Sequence, residues 1–315
     1  MLFKTIGMIG GGTMGHGIAA SFAINKFKVN VLAHSQAGGA RIMPAIEEEC
    51  KFLVEENYIT AAEATAALGR VTVSWDKKAV VEDCEFVLES IPEKIELKQS
   101  LFAELDQLCK PEAVLASNTS SLKLADMMAQ VSPERRKRMM VTHWYNPPLL
   151  MPIVELSCFG NMAEDLYNDV AKLHETIGKV TVKVLKDVPG LVANRIQQAV
   201  AREAFSIIEQ QIAAAEDVDK ALKFGPAFRY ATTGQLEVAD LGGLDVWCTV
   251  GDNLLAIMDA SKQANSLLRK CVTEGKLGVK SGEGFYKYDP ATVGTVKKKF
   301  MKRLLHQLKA SKAYL

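Results

Sequence analysis

No apolar run in this 315-residue chain approaches the length of a membrane span, so nothing in it argues for a segment that crosses a bilayer. Cysteine is sparse and scattered. Cys50, Cys84, Cys109, Cys158, Cys248 and Cys271 include no pair at metal-binding or redox spacing, and the expectation is buried thiols in a reducing compartment with no metal site. The chain passes almost directly from Met1 into a strand-like stretch, which leaves no room for a secretion signal and points to a cytoplasmic protein without a membrane partner. Acidic side chains stop at Asp289, and seven basic ones follow between Lys297 and Lys312. The formal net charge of +1 therefore hides an acidic body and a basic tail, a balance that gives no general argument for a nucleic-acid partner. With 48% hydrophobic and 24% charged residues, the composition is that of an ordinary globular chain.

The length suits two domains. Over roughly the first 185 residues, short apolar runs alternate with helical stretches, and strands are expected at 5–9, 29–32, 71–73, 86–88, 114–116, 139–142 and 180–184. Strands separated by helices imply right-handed crossovers and a mostly parallel, doubly wound sheet. A second regime begins near Asp187-Val188-Pro189-Gly190. From Leu191 onward the patterning is helical, with Ile196, Val200, Ala204, Ile207 and Ile208 repeating on one face. Asp217 reads as a helix N-cap and Gly225-Pro226 as a stop. The expected division is a dinucleotide-binding domain over 1–186 and an all-helical substrate and dimerisation domain over 187–315.

Directly after the first strand stands Gly10-Gly11-Gly12-Thr13-Met14-Gly15, followed by Ile18, Ala19, Phe22 and Ala23 opening a helix. In this strand–turn–helix setting Gly10 permits the tight turn and Gly12 lets backbone approach a pyrophosphate. Gly15 allows close helix packing, and the helix N-terminus with Thr13 and Met14 favours the anion. The fold class expected is α/β, a Rossmann-type sheet domain followed by an all-helical C-terminal domain. What is missing is the carboxylate that would hold the adenosine ribose at the end of the second strand. Ala33 stands there, followed by His34, Ser35 and, further on, Arg41. Without that acid, these three side chains are free to meet a 2′-phosphate, or NAD binds through its other contacts; NAD and NADP both stay open.

Three distant segments fall at carboxyl ends of expected strands, where open α/β sheets bind ligands: Glu89-Ser90-Ile91-Pro92-Glu93, Ser117-Asn118-Thr119-Ser120-Ser121 and His143-Trp144-Tyr145-Asn146-Pro147-Pro148. Of five histidines, only His143 sits at such a strand end with polar neighbours. A secondary alcohol releases hydride only once a base takes its proton, and an imidazole suits that task in both directions.

On the segments GGGTMGHGIA, SNTSSL, HWYNPP followed by PIVEL, DVPGLVANRI and LGVKSGEGFYKY, the chain resembles the 3-hydroxyacyl-CoA dehydrogenase family over nearly its whole length. The resemblance implies oxidation of a short-chain 3-hydroxyacyl-CoA, with His143 as general base and Glu155 orienting its imidazole. It makes Ser120 the serine that hydrogen-bonds the substrate oxygen and Asn194 the amide beside it, with Asn146 a further substrate contact. Glu93, Lys98 and Asn118 fall among its cofactor contacts. Each has a plainer alternative: Glu155 as a surface charge at a strand end, Ser120 and Asn194 as helix caps.

Acyl-CoA members often carry a lysine-rich helix after the second strand, whereas here that stretch reads Glu47-Glu48-Glu49-Cys50-Lys51 and then Glu55-Glu56, a poor neighbour for CoA phosphates. GPAFRYATTGQLEVADLGGLD also resembles the branch with gulonate and carnitine dehydrogenases and a lens crystallin, in which Arg229 would pair with a substrate carboxylate; Gly234-Gln235 departs from the Gly-Pro usual there. A free 3-hydroxy acid substrate and a non-catalytic nucleotide-binding role therefore remain as alternatives. Leu244, Val246, Trp247, Leu254 and Leu255 exceed what a small bundle buries, so a homodimer is expected. Phe300, Leu304 and Leu308 are expected to pack a terminal helix on the body with its lysines solvated.

Overall fold

The computed structural model describes residues 3–157 and 159–314. Cys158 lies outside the described residues. Two compact units divide between Val192 and Ala193. That is six residues beyond the expected boundary, because 187–192 is bonded into the first unit: Asp187 accepts from Ala125 N at 3.1 Å, Gly190 N donates to Ser120 O at 3.1 Å, and Val192 N donates to Glu155 at 2.8 Å.

The first unit is one eight-stranded sheet in the order β3-β2-β1-β4-β5-β6-β7-β8. Its strands are β1 (Thr5–Ile9), β2 (Lys28–Leu32), β3 (Val71–Ser74), β4 (Phe86–Glu89), β5 (Val114–Ser117), β6 (Met139–Trp144), β7 (Ile153–Ser157) and β8 (Val180–Val184). All neighbours run parallel except β6 and β7. Side chains alternate between the two faces. Ile6, Met8, Phe86, Leu88, Met140 and Trp144 meet the helices Gly15–Ile24, Ile42–Glu55 and Glu164–Thr176 on one side. Ile9, Val87, Leu115, Met139 and Val141 meet the helix Ile95–Leu108 on the other. Burial on both faces explains the near-continuous apolar runs of the central strands.

β7 is the strand absent from the sequence expectation. Its run Ile-Val-Glu-Leu-Ser is broken by Glu155 and Ser157, both fully buried, so it carries neither a clean apolar run nor a polar face turned to water.

The second unit is helical apart from isolated bridges joining Gly278 to Glu283 and Glu283 to Lys287, an exception to the helical patterning expected there. These bridges lie in LGVKSGEGFYKY, which fastens this unit to itself: Phe285 stacks on Phe205 with centroids 5.5 Å apart, and Tyr286 donates to Asp219 at 2.8 Å. Asp217 lies inside the helix Ala215–Phe224, capped by Ala214, and so is a first-turn acid rather than the N-cap; the helix does stop at Gly225. In the helix Val293–Ser311 the buried residue is Leu305, while Phe300 of the expected stripe is 47% exposed. Cys50, Cys84 and Cys109 are buried thiols, but Cys248 is exposed. Among the described residues no helix is long and apolar enough to cross a membrane.

Candidate active site

The carboxyl ends of β1, β4, β5 and β6 lie side by side, and each delivers one part of the site. After β1, Gly10 takes φ +98°, and a Cβ there would stand 2.7 Å from Ser90 O. A Cβ on Gly15 would lie 1.8 Å from Gly10 O, so glycine is required for the helix to close on the turn. A Cβ on Gly12, by contrast, would meet nothing within 4 Å. The space over Gly12 is open beside the N-terminus of the helix Gly15–Ile24, which is where a dinucleotide's phosphates need room and unpaired backbone N–H groups. Thr13 is exposed there and Met14 half-buried. At the end of β2, Ala33 is buried, His34 is exposed, and Ser35 Oγ accepts from Gly38 N.

His16 was not among the expected site residues, although its place in the first turn after the glycine loop was the available signal. Its Nδ1 lies 2.7 Å from Gly12 O and its Nε2 3.4 Å from Glu49 Oε1. A carbonyl only accepts, so Nδ1 carries a proton, and Nε2 faces the carboxylate favourably only when protonated too. The hydrogen bond to Glu49, opposed by burial, raises its pKa.

At the ends of β4 and β5 a polar network is sealed inside. Glu89 and Lys98 are buried, with Lys98 Nζ 2.9 Å from both carboxylate oxygens, and Ser117 Oγ donates to Glu89 at 2.5 Å. Lys98 also pairs with Glu93 at 3.1 Å. Glu93 Oε1 accepts from Thr119 Oγ1 at 2.5 Å and from Ser120 N, Ser121 N and Ser121 Oγ, each at 3.0 Å. Burial pushes its carboxyl up, but the Thr119 hydroxyl, the Lys98 ammonium and the Ser121 hydroxyl together bring it down to about 2. Glu93 thus ties down the loop that carries Ser120. Asn118 is engaged as a brace between strands: its Oδ1 accepts from Trp144 N at 2.8 Å and its Nδ2 donates to Ser90 Oγ at 3.3 Å.

His143 and Glu155 are register partners on β6 and β7. His143 Nδ1 is 2.8 Å from Glu155 Oε2, and Nε2 is 3.1 Å from Ser120 Oγ. The carboxylate fixes the proton on Nδ1, so Nε2 offers its lone pair on the Ser120 side. Glu155 is fully buried, not a surface charge, and its second oxygen accepts from Val192 N. Tyr145 lies edge-on to the imidazole with centroids 5.0 Å apart. Ser120 and Asn146 are exposed. This arrangement can accept a proton at Nε2 from a group bound beside Ser120. Among the described residues no cluster of three His, Cys, Asp or Glu could hold a metal.

Asn194 and Arg229 belong to the second unit. Asn194 is half-buried in the first turn of the helix Ala193–Glu209, and Arg229 is exposed on the short helix Pro226–Tyr230. Gly234 takes φ +79° and caps the helix that starts at Gln235.

A dinucleotide loop, a strand-end imidazole backed by a carboxylate and a separate helical unit define the class of nicotinamide-dependent dehydrogenases. Residues 5–188 match the model for the NAD binding domain of 3-hydroxyacyl-CoA dehydrogenase, and residues 190–288 match the model for its C-terminal domain. The chain belongs to the 3-hydroxyacyl-CoA dehydrogenase family. It is 33% identical over 298 residues to a probable 3-hydroxybutyryl-CoA dehydrogenase of Bacillus subtilis, covering 93% of this chain and 100% of that one. It is 31% identical over 295 residues to 5-formyl-3-hydroxy-2-methylpyridine 4-carboxylate 5-dehydrogenase of Mesorhizobium japonicum, covering 92% of each chain. A crystal structure of a 5-dehydrogenase for the same compound, an NAD+ dependent dismutase, superposes with a TM-score of 0.89 at 27% identity over 99% of this chain and 100% of that one.

Proposed function

We propose that this chain oxidises the 3-hydroxyl of a short-chain L-3-hydroxyacyl-CoA reversibly, with NAD as cofactor and His143 as general base. The observation that carries the reading is the unbroken chain Glu155–His143–Ser120, at 2.8 and 3.1 Å. Ser120 holds the substrate hydroxyl, and His143 Nε2 takes its proton as charge develops on the oxygen. Glu155 keeps the imidazole in the right tautomer and stabilises the imidazolium. The loop of Gly10, Gly12, Thr13, Met14 and Gly15 holds the cofactor's phosphates, with Glu93, Lys98 and Asn118 shaping the cofactor side of the site. The nicotinamide supplies the hydride chemistry when bound. Asn194 and Asn146 are assigned to the substrate. A nucleotide-binding role without turnover gives no reason for a buried imidazole–carboxylate pair with its far nitrogen turned towards an exposed serine.

A second reading has a specific observation behind it. Glu47, Glu48 and Glu55 are exposed on the helix Ile42–Glu55, an acidic surface ill-suited to CoA phosphates. The likeness to the pyridine-carboxylate dehydrogenase also runs over 99% of the chain, past residue 288 where the family models stop. Under this reading the substrate is a small free carboxylate and Arg229 its partner. The test is NADH oxidation with acetoacetyl-CoA, with a parallel NADPH assay. Brisk turnover supports the acyl-CoA reading and reports the cofactor preference left open by Ala33 and His34. Binding of NADH without turnover moves the assignment to a free acid.

A further inference from the structure

Lys179 is a buried lysine with no carboxylate salt-bridge partner among the described residues. It immediately precedes β8 and is 7% exposed. Its Nζ donates to Pro148 O at 2.6 Å and to Met151 O at 2.9 Å, and lies 5.0 Å from the centre of the Trp144 ring. Burial alone shifts its proton affinity, pushing its pKa down to about 7. An apolar side chain of similar length would fill this place without the desolvation cost of a buried charge, so the charge calls for a reason.

All three contacts lie on one stretch of chain. Residues 145–152 join β6 to β7, the two strands that set His143 opposite Glu155. The connection turns tightly, with Leu150 N and Met151 N both donating to Pro147 O at 3.1 and 3.0 Å. Trp144 adjoins His143 at one end, and Met151 stands just before β7 at the other. We propose that Lys179 is a positioning residue for the reaction: it clamps the β6–β7 connection so that His143 and Glu155 stay opposed and Tyr145 stays edge-on to the imidazole. The inference rests on His143 as the base.

The clamp is sensitive to pH. Hydrogen bonds from an ammonium to carbonyls are stronger than those from a neutral amine, so the grip weakens as pH rises through about 7. The titratable neighbours do not compensate. His174, from the helix Glu164–Thr176, is held down to about 4 by burial, even though its Nδ1 bond to Val170 O works the other way, and so it stays neutral. Glu49, from the helix Ile42–Glu55, lies near Pro148 with His16 attached; a Cβ on Gly17 would meet Pro148 Cγ at 2.7 Å and Glu49 Oε1 at 3.0 Å.

The test uses the full chain labelled with 5-fluorotryptophan, its Trp144 signal assigned by loss in Trp144→Phe. In the wild type the 19F shift of that signal titrates with a midpoint near 7, and kcat/KM loses its plateau on the alkaline side with the same midpoint. In Lys179→Arg, which keeps a charge that does not titrate, both transitions vanish from the range pH 5.5 to 9. Lys179→Met lowers kcat at least tenfold at pH 6.5 while NAD affinity changes less than twofold. A Trp144 titration that persists in Lys179→Arg belongs to another group and overturns the assignment, as does an unchanged kcat in Lys179→Met. The 19F readout needs no turnover, so it judges the clamp even if His143→Gln shows that the base is wrongly assigned.

Discussion

His143 and Glu155 are paired residues of adjacent antiparallel strands, and their side chains meet at 2.8 Å on the same face of the sheet. A slip of one residue between β6 and β7 would send them to opposite faces, so the imidazole–carboxylate pair is fixed by the same register that builds the core. His143→Gln is expected to lower kcat by roughly 10²- to 10⁴-fold, the usual share of a general base, with NAD affinity unchanged. Glu155→Gln removes the charge that supports the imidazolium and leaves one acceptor oxygen for two donors, His143 Nδ1 and Val192 N, and should lower kcat by a similar roughly 10²- to 10⁴-fold. Steady-state kinetics beside a direct NAD titration checks both. Undiminished turnover in the histidine variant would remove it as the base.

Two glycines of the loop should fail in different ways. Gly15→Ala places a methyl 1.8 Å from Gly10 O, a backbone overlap expected to cost about 3 kcal/mol and to lower Tm by roughly 6–12 °C. Gly12→Ala meets nothing within 4 Å, so its Tm should stay near that of the wild type. Its NAD affinity should nevertheless fall about tenfold, since the added methyl occupies the space a phosphate needs. Thermal melts with and without NAD separate the two effects. A Gly12→Ala protein with full NAD affinity would show that the phosphates do not pass over that residue.

Glu93 makes stability depend on pH with a definite sign. Its folded value of about 2 lies below the ordinary 4.5, so its contribution is complete above that ordinary value and lost as pH falls towards 2. Glu93→Gln is therefore expected to melt lower than the wild type at pH 6, with the difference shrinking below pH 4.5 and closing only towards pH 2. It should also lower kcat, because Ser120 N and Ser121 N lose a charged acceptor. A melting difference that stays constant from pH 6 to pH 3 would mean that the carboxylate charge does not hold this loop.

The parts of this chain that were legible beforehand are those where local pattern and tertiary role agree. The strand–glycine–helix sequence around Gly10 and Gly15 fixed the nucleotide loop because the residue types follow from sterics alone. The Glu155 strand was illegible because a buried carboxylate interrupts the apolar pattern by which strands are read. The role of Lys179 was hidden for a related reason: a lysine beside a strand reads as a solvated charge until the Pro148 and Met151 carbonyls fold over it. Asp217 shows the limit of residue-type rules, since an acid serves a helix nearly as well in its first turn as at its cap.

The helix Leu244–Leu254 buries none of its residues in the isolated chain, and Leu244, Val246, Val250 and Leu254 are between 42% and 63% exposed. The helix Ala193–Glu209 likewise leaves Ile196 and Val200 uncovered. An apolar surface spread over two helices of one unit is more than a monomer ordinarily shows to water, and self-association through a two-fold interface covers it most simply. The chain is therefore expected to be a dimer by light scattering, with a melting temperature that rises with protein concentration. Val246 and Val250 stand one turn apart on that helix, so Val246→Asp combined with Val250→Asp puts two charges into a shared interface. The double variant should run as a monomer and lose the concentration dependence while the sheet unit still binds NAD. A wild-type protein that scatters as a monomer at micromolar concentration would leave these helices exposed for some other reason and end the argument for a dimer.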